Sequence, residues 1–449
     1  MIADWLEAVS PARFALAGGA LAAWGGLCWR VWRQAHPRSA DPGEWSVLHA
    51  SQTGTAAALA GQSAALLGAA PAQPLDRLSP EQLAAGGRFL FVVATCGDGD
   101  APDHARHFLP RLASWRPAGA GRSLAACQYA VLALGDDRYP AFCAFGRQLD
   151  AALAAAGARA WQPLLTVNRG DPEALAQWFS RLGTGRETPG LAGIETVAAP
   201  APAQLWRLCA REHLNPGSPG GEVHRLLFEP AEGALPEWQA GDLARIELPG
   251  WNGPRDYSIA SLPGEGRIEL LVRRQVDARG QPGLASHFLC RRLAVGACVP
   301  LRLQRHAAFH LGDNARRPLI LLGQGVGLAG LLAHLKSVPA GSGQVHWLMH
   351  GERCPQADDY ARRLLAPWRG SLRLDCLFSR ASFRPRRVPE QLRASAGTWQ
   401  AWLAQGAAVY VCGSRRGIGD AVDEVLREVL GEGGVERLRR AGRYRRDVF

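Results

Sequence analysis

The sequence predicts two α/β units flanking an antiparallel β-rich unit, with one apolar helix ahead of all three. Three observations carry this reading. Short apolar runs alternate with helical patterns over residues 45–183 (WSVLHA, FLFVVAT, YAVLALG) and again from Pro318 (PLILLGQGVG, QVHWLMHGE, RLDCLFSR, AAVYVCGS). That is the texture of buried parallel strands joined by crossover helices. Between them, residues 204–315 hold strands such as VHRLLFE, LARIEL and RIELLVRR, broken by Gly and Pro. The third observation is an uncharged run from Phe14 to Trp29, followed by Arg30 and Arg33.

Taking the elements in order, the uncharged run is sixteen residues long. Snorkelling arginines and a belt of Trp24, Trp29 and Trp32 extend it to a predicted membrane span over 14–32, after a tail 1–13 and before a juxtamembrane segment 33–44. Positive charge on its C-terminal flank predicts a single pass through the inner (cytoplasmic) membrane, with the remaining chain in the cytoplasm. Asp4 and Glu7 in the leading tail argue against a cleaved signal peptide. A Gly/Pro/Ala-rich linker, 184–203, then separates the first α/β unit, 45–183, from the β-rich unit, 204–315, and the last α/β unit, 316–449.

Composition narrows the function classes. At 449 residues the chain exceeds one core, and 47% hydrophobic with 20% charged residues is ordinary for folded protein. The net charge of +11 is spread along the chain without a dense basic run, so nucleic acid is not an expected partner. Ten cysteines stand apart, with no CxxC pair and no Cys/His spacing of a metal site. They read as free thiols, and no metal is expected.

Ser51-Gln52-Thr53-Gly54-Thr55 lies between a strand and an Ala-rich helix, where hydroxyls and free N–H groups make a cradle for a phosphate monoester. Two further loops follow predicted strand ends: Thr95-Cys96-Gly97-Asp98-Gly99-Asp100 and Leu134-Gly135-Asp136-Asp137-Arg138-Tyr139. Ligands in open α/β sheets bind beyond such ends, so all three loops should meet one ligand. Here the sequence resembles the flavodoxin module of diflavin reductases. The resemblance implies an FMN site, with Ser51 to Thr55 on the phosphate, the other two loops flanking the ring and Tyr139 stacked on it. Many relatives carry an aromatic where Cys96 stands. An acidic rim of Asp98, Asp100, Asp103, Asp136 and Asp137 would suit docking of a basic partner.

Farther on, Arg255-Asp256-Tyr257-Ser258 resembles the RxYS motif of the ferredoxin–NADP reductase family. For this motif the resemblance implies a guanidinium for a diphosphate, an aromatic for a flavin and a hydroxyl for its N5. With Gly241-Asp242 before it and Gly283-Leu284-Ala285-Ser286 after it, the resemblance implies an FAD-binding β-barrel. Gly323-Gln324-Gly325-Val326-Gly327 follows a strand and opens a helix, the setting for a dinucleotide diphosphate. Ser379-Arg380, with Arg386 and Arg387, resembles the clamp on the NADPH 2′-phosphate. The chain ends in Asp447-Val448-Phe449. By resemblance, Phe449 gates the nicotinamide, and Ser258, Cys412 and Asp447 surround the hydride path.

These motifs together resemble the sulfite-reductase-flavoprotein and cytochrome P450 reductase types of diflavin reductase. The implied fold is a flavodoxin-like domain, an antiparallel FAD barrel and an α/β NADP-binding domain. The implied reaction runs from NADPH to FAD to FMN to an acceptor protein, possibly containing haem or iron–sulfur and close to the membrane. Those relatives insert a helical connecting domain before the RxYS strand, whereas only a short loop joins Ile246 to Arg255 here. Two other readings stay open: a single-flavin FAD reductase with a degenerate first unit, and a non-catalytic FMN-binding membrane adaptor.

Overall fold

The computed structural model describes residues 45–449 except 53, 97–98, 116–122, 140, 184–202, 249, 252, 278 and 340–342. The expected transmembrane helix is corrected first. Among the described residues no helix is long and apolar enough to cross a membrane, and the segment 14–32 lies outside them. The physical weakness is in the run itself: sixteen residues fall short of the roughly 20 a span needs, and most of them are Ala or Gly. The single-pass, inner-membrane placement is withdrawn with it.

The first sheet is all parallel. Its strands are β1 (Trp45–Ala50), β2 (Gln73–Pro74), β3 (Gly87–Ala94), β4 (Cys127–Gly135), β5 (Arg159–Ala160) and β6 (Leu165–Asn168), in the order β2-β1-β3-β4-β5 with β6 also on β4. Strands β3 and β4 are apolar runs buried on both faces, as helices on either side require. Helices Thr55–Leu67 and Pro172–Gly183 cover one face, where Trp178 is fully buried and its indole N–H donates to Ser63 Oγ at 3.1 Å. Helices Phe108–Ser114 and Ala144–Ala155 cover the other. All three ligand loops leave the carboxyl ends of β1, β3 and β4, so one edge of the sheet collects them.

A second sheet is antiparallel, with β7 (Gln204–His213), β8 (Val223–Pro230), β9 (Leu243–Ile246), β10 (Arg255–Ser258), β11 (Ile268–Arg273) and β12 (Cys298–Gln304) in the order β10-β9-β12-β7-β8-β11. A bridge from Ile259 to Leu270 joins the two edges and closes the sheet into a barrel. Trp206, Phe228, Ile246 and Leu270 fill its interior.

The third sheet is parallel again: β13 (Leu319–Gln324), β14 (His346–Glu352), β15 (Leu372–Phe378), β16 (Ala408–Gly413) and β17 (Tyr444–Val448), in the order β15-β14-β13-β16-β17. The barrel and this sheet share one core. Val223, Leu271 and Phe309 pack in the same cluster as Leu321, Leu331 and Tyr410. Ser258, Cys412 and Asp447 lie along this seam, brought there by β10, β16 and β17.

Candidate active site

At the seam, Ser258 Oγ donates to Asp447 Oδ2 at 2.7 Å, joining the end of β10 to the last strand. The Cys412 thiol donates to the same oxygen at 3.6 Å. Burial first, then the Asp447 carboxylate, push that thiol well above its ordinary value, so Cys412 presents a neutral S–H. Gly330, on helix Leu328–Ser337, keeps the space above these groups open: a Cβ there would stand 3.3 Å from Cys412 Sγ and 3.6 Å from Ser258 Cβ. Phe449 is 61% exposed, yet its backbone is tied on both sides, donating to Gly413 O and accepting from Arg415 N.

The glycine loop after β13 is shaped by contact with β16. A Cβ on Gly327 would lie 2.2 Å from Cys412 O, so only glycine lets this loop close on the strand. Gly325 has φ +59 and sits beneath the Arg273 guanidinium, while Gly323 packs against Leu331. The His350 ring meets Gly325 O at 3.0 Å. Beside the loop, Asn215, Ser218, Glu222, Arg273, Arg274 and Arg353 line a polar cavity of about 500 Å³. Ser379 bonds Glu352 O, and Arg380 N donates to the backbone of Arg353, so that pair lies behind a lining residue and does not itself line the cavity. Arg386 and Arg387 lie farther out and exposed: Arg386 reaches Gln391, and the Arg387 N–H donates to Glu390. The structure does not bring these two onto Ser379 through any hydrogen bond among the described residues.

On the barrel, Arg255 donates to the carbonyls of Gly253 and Pro254, and Tyr257 is half-buried. Ser286 Oγ accepts from Gln275 N and donates to Gly283 O, locking the loop in which Ala285 is buried. Asp242, in the turn before β9, pairs with His310 at 2.6 Å. Burial alone would raise its carboxyl, but bonds from His310 and from the N–H groups of Gln239 and His306 hold it below the usual value.

In the first unit, Ser51 is buried and its Oγ accepts from Gly54 N at 3.0 Å. Gly54 has φ +96, and a Cβ there would meet nothing within 4 Å among the described residues. The loop therefore opens into clear space at the start of a 13-residue helix with no acidic residue in its first turn. Gln52 and Thr55 flank this opening, while Thr53, Gly97 and Asp98 lie outside the described residues. Thr95 Oγ1 accepts from Phe145 N, Gly99 turns at φ +110, and burial pushes the Cys96 thiol up to about 12. Gly135, next to Leu134 and Asp136, abuts Cys143: a Cβ there would be 2.9 Å from its backbone nitrogen. Tyr139 Oη donates to Pro254 O at 3.0 Å, and its ring lies against Gly253. The aromatic of the first ligand site thus touches the segment leading into the second.

Comparison with known proteins agrees with this layout. A flavodoxin family model matches residues 47–195. The sulfite reductase [NADPH] flavoprotein alpha-component of Neisseria meningitidis serogroup C is 26% identical over 92% of this chain and 90% of the relative. Its serogroup B counterpart is 25% identical over the same shares. The protein of that name from Yersinia pestis is 31% identical over 44% of the chain and 36% of its own length. The chain thus carries a flavodoxin domain and is similar to sulfite reductase flavoproteins over 92% of its length, which is consistent with a diflavin reductase. The first alignment runs over 555 positions against the 449 residues here, so the relative carries residues that have no counterpart in this chain.

The flavodoxin unit docks directly on the barrel and the last α/β unit. Arg446 of β17 holds Asp103 with two bonds, at 2.8 and 3.0 Å. Arg106 reaches Asp420 at 2.9 Å and Asp423 at 3.1 Å, on helix Asp420–Arg440. Asp423 is fully buried among Arg106, Arg427, Arg439, Arg446, His107 and Tyr444. Burial alone would raise its carboxyl, but His107 and the surrounding guanidinium groups hold it far below the carboxylate range. Asp100 pairs with Arg415, and Arg138 bridges Asp136 and Glu247. The rim read as an acceptor surface is therefore largely engaged within the chain: Asp100 and Asp103 meet arginines of the last unit, and Asp137 sits near Arg169. Sequence reasoning missed these arginines, as it did Arg273 and Arg274 at the cavity. The adjacent Arg273-Arg274 pair, at a strand end, was the one readable signal.

Proposed function

We propose that the chain takes a hydride from NADPH and passes the electrons through FAD and FMN to an acceptor protein with a haem or iron–sulfur centre. The observation that carries the reading is the contact of Tyr139 with Gly253 and Pro254, directly before the RDYS strand. It sets the FMN loops against the FAD loops with no intervening domain.

The residues present suit the three groups. The open turn at Gly54 and the free helix start fit a phosphate monoester, and the glycine loop under Arg273 fits a diphosphate. When bound, the flavins and the nicotinamide carry the hydride and electron chemistry. Ser51, Gln52, Thr53, Gly54 and Thr55 hold the FMN phosphate in this reading, and Tyr139 covers its ring. Arg255, Gly283, Ala285 and Ser286 hold the FAD diphosphate, and Tyr257 lies on its ring. Gly323, Gly325 and Gly327 admit the nucleotide diphosphate, while Ser379 and Arg380 select the 2′-phosphate. Ser258, fixed by Asp447, would present its hydroxyl to the flavin, and Cys412 would shape the approach. Phe449 would cover the flavin and exclude water.

The deciding measurement is flavin release from the purified chain, resolved into FMN and FAD. One of each per chain, with both reduced by NADPH, is the expected result. FAD alone after attempted FMN reconstitution would overturn the relay in favour of the single-flavin reading, which Cys96 in place of an aromatic favours.

A further inference from the structure

Behind the Ser258–Asp447 pair sits a group with no assigned role. His306 is 0% exposed, and neither ring nitrogen has a hydrogen-bond partner among the described residues. Buried polar atoms are nearly always paired, and exceptions cluster where a proton must be taken up or released. The ring lies against Phe309, with centroids 6.0 Å apart, and its Nδ1 is 3.9 Å from Asp447 Oδ1. The two oxygens of Asp447 therefore face different ways. Oδ2 accepts from Ser258 and Cys412, and Oδ1 turns to the imidazole.

We propose that His306 is a positioning residue that stores the proton leaving flavin N5, receiving it from Ser258 by way of Asp447. This rests on the diflavin reading given above. Hydride arrival at N5 needs no proton. When two electrons move on from the reduced FAD to FMN, the N5–H bond breaks and its proton must leave. Ser258 Oγ takes that proton while its own hydroxyl proton passes to Asp447 Oδ2. Asp447, now protonated on Oδ2, turns about its Cβ–Cγ bond and hands that proton to Nδ1 of a His306 protonated beforehand only on Nε2, leaving a carboxylate beside an imidazolium. The gap of 3.9 Å exceeds a hydrogen bond and closes by a small turn of either side chain.

The surroundings of the ring allow a charge to rest there. From β17 comes Asp447, and from β16 Cys412 and Tyr410. His334 of helix Leu328–Ser337 packs on Phe309, with both its ring nitrogens unpartnered too. His310 is held by Asp242, which also accepts from the His306 backbone N–H. Arg445 caps Ala307 O at 3.1 Å. Asp447 is thus the carboxylate whose side chain faces the ring directly.

The test uses the full chain carrying His306→Asn, with FAD reduction by NADPH and FMN reduction followed separately by stopped flow. FAD reduction should stay within about twofold of wild type, because no proton moves in it. FMN reduction should slow by at least ~10-fold and gain a pH dependence, as expected on losing a proton acceptor. Equal slowing of both steps, or no slowing of the second, would overturn the proposal. A second arm follows the His306 imidazole by ¹⁵N NMR in wild type and Asp447→Asn. Its two ring-nitrogen chemical shifts, which report the tautomer and any proton shared with the carboxylate, should move when the carboxylate is lost, and unmoved shifts would overturn the shared proton. If the wild type holds no FAD, the diflavin reading fails, while the NMR arm still decides the His306–Asp447 link.

Discussion

Replacing Asp103 by Asn should loosen the docked flavodoxin unit without disturbing either flavin site. The Arg446 side chain is 4% exposed and Asp103 is 31% exposed, so the pair is only partly screened by water. Removing one partner of a buried pair can cost about 3–5 kcal/mol. Two features lower that figure here. Arg446 keeps Gly419 O at 3.2 Å and Asp423 at 3.6 Å, so its charge is not stranded, and Asn still accepts one hydrogen bond. About 2 kcal/mol is then the working value for the charged bond lost, or roughly thirtyfold in the docking equilibrium. Small-angle scattering should show a larger radius of gyration for the variant. Stopped flow should show slower FMN reduction after NADPH mixing, with FAD reduction unchanged. Added salt should act in the same direction on wild type, through the more exposed Asp100–Arg415 and Arg106–Asp420 pairs. Unchanged dimensions and an unchanged FAD-to-FMN rate would refute the view that this pair holds the units together.

Other perturbations test other parts of the molecule. Phe449→Ala should tighten pyridine nucleotide binding and relax NADPH preference, and unchanged NADH/NADPH selectivity in steady-state kinetics would count against the gate. Arg380→Ala should raise KM for NADPH by about 10–100-fold, the worth of a charge-assisted phosphate contact, with KM for NADH within about twofold; equal effects on both would remove Arg380 from 2′-phosphate recognition. Burial, helped by His310 and Arg445, lowers His334 to about 3, against 6.5 unfolded. The unfolded chain therefore takes the proton first. The stability tied to a neutral His334 is complete above pH 6.5 and drains away at up to ~1.4 kcal/mol per pH unit as pH falls toward 3. Urea unfolding at pH 7 and pH 5 should show wild type losing about 2 kcal/mol more than His334→Leu, and equal losses would contradict this.

The parts legible in the sequence are those whose chemistry is local. SQTGT leaves the end of β1, RDYS forms β10 and GQGVG leaves the end of β13, the strand and loop settings that each short window announces by itself. The relation between units is not local. Asp103 and Arg446 are 343 positions apart, and no short window shows that they meet. His306 reads as an ordinary polar residue before a 3-10 turn until burial and Asp447 are seen around it. The N-terminal run misled for a different reason. A lack of charge is not apolarity, and Ala with Gly supplies little of the transfer energy that a span requires.

The direct dock also sets an order of events. Asp100, Asp103 and Asp136 are each matched to a guanidinium of the same polypeptide, and Tyr139 is pressed on Pro254. A foreign protein arriving at this face would find its charge spent and its aromatic covered. In the proposed relay, loading of the first unit and delivery from it would exclude one another in time, with the face as a shutter. While it is shut, an outside oxidant would not draw electrons there ahead of their turn.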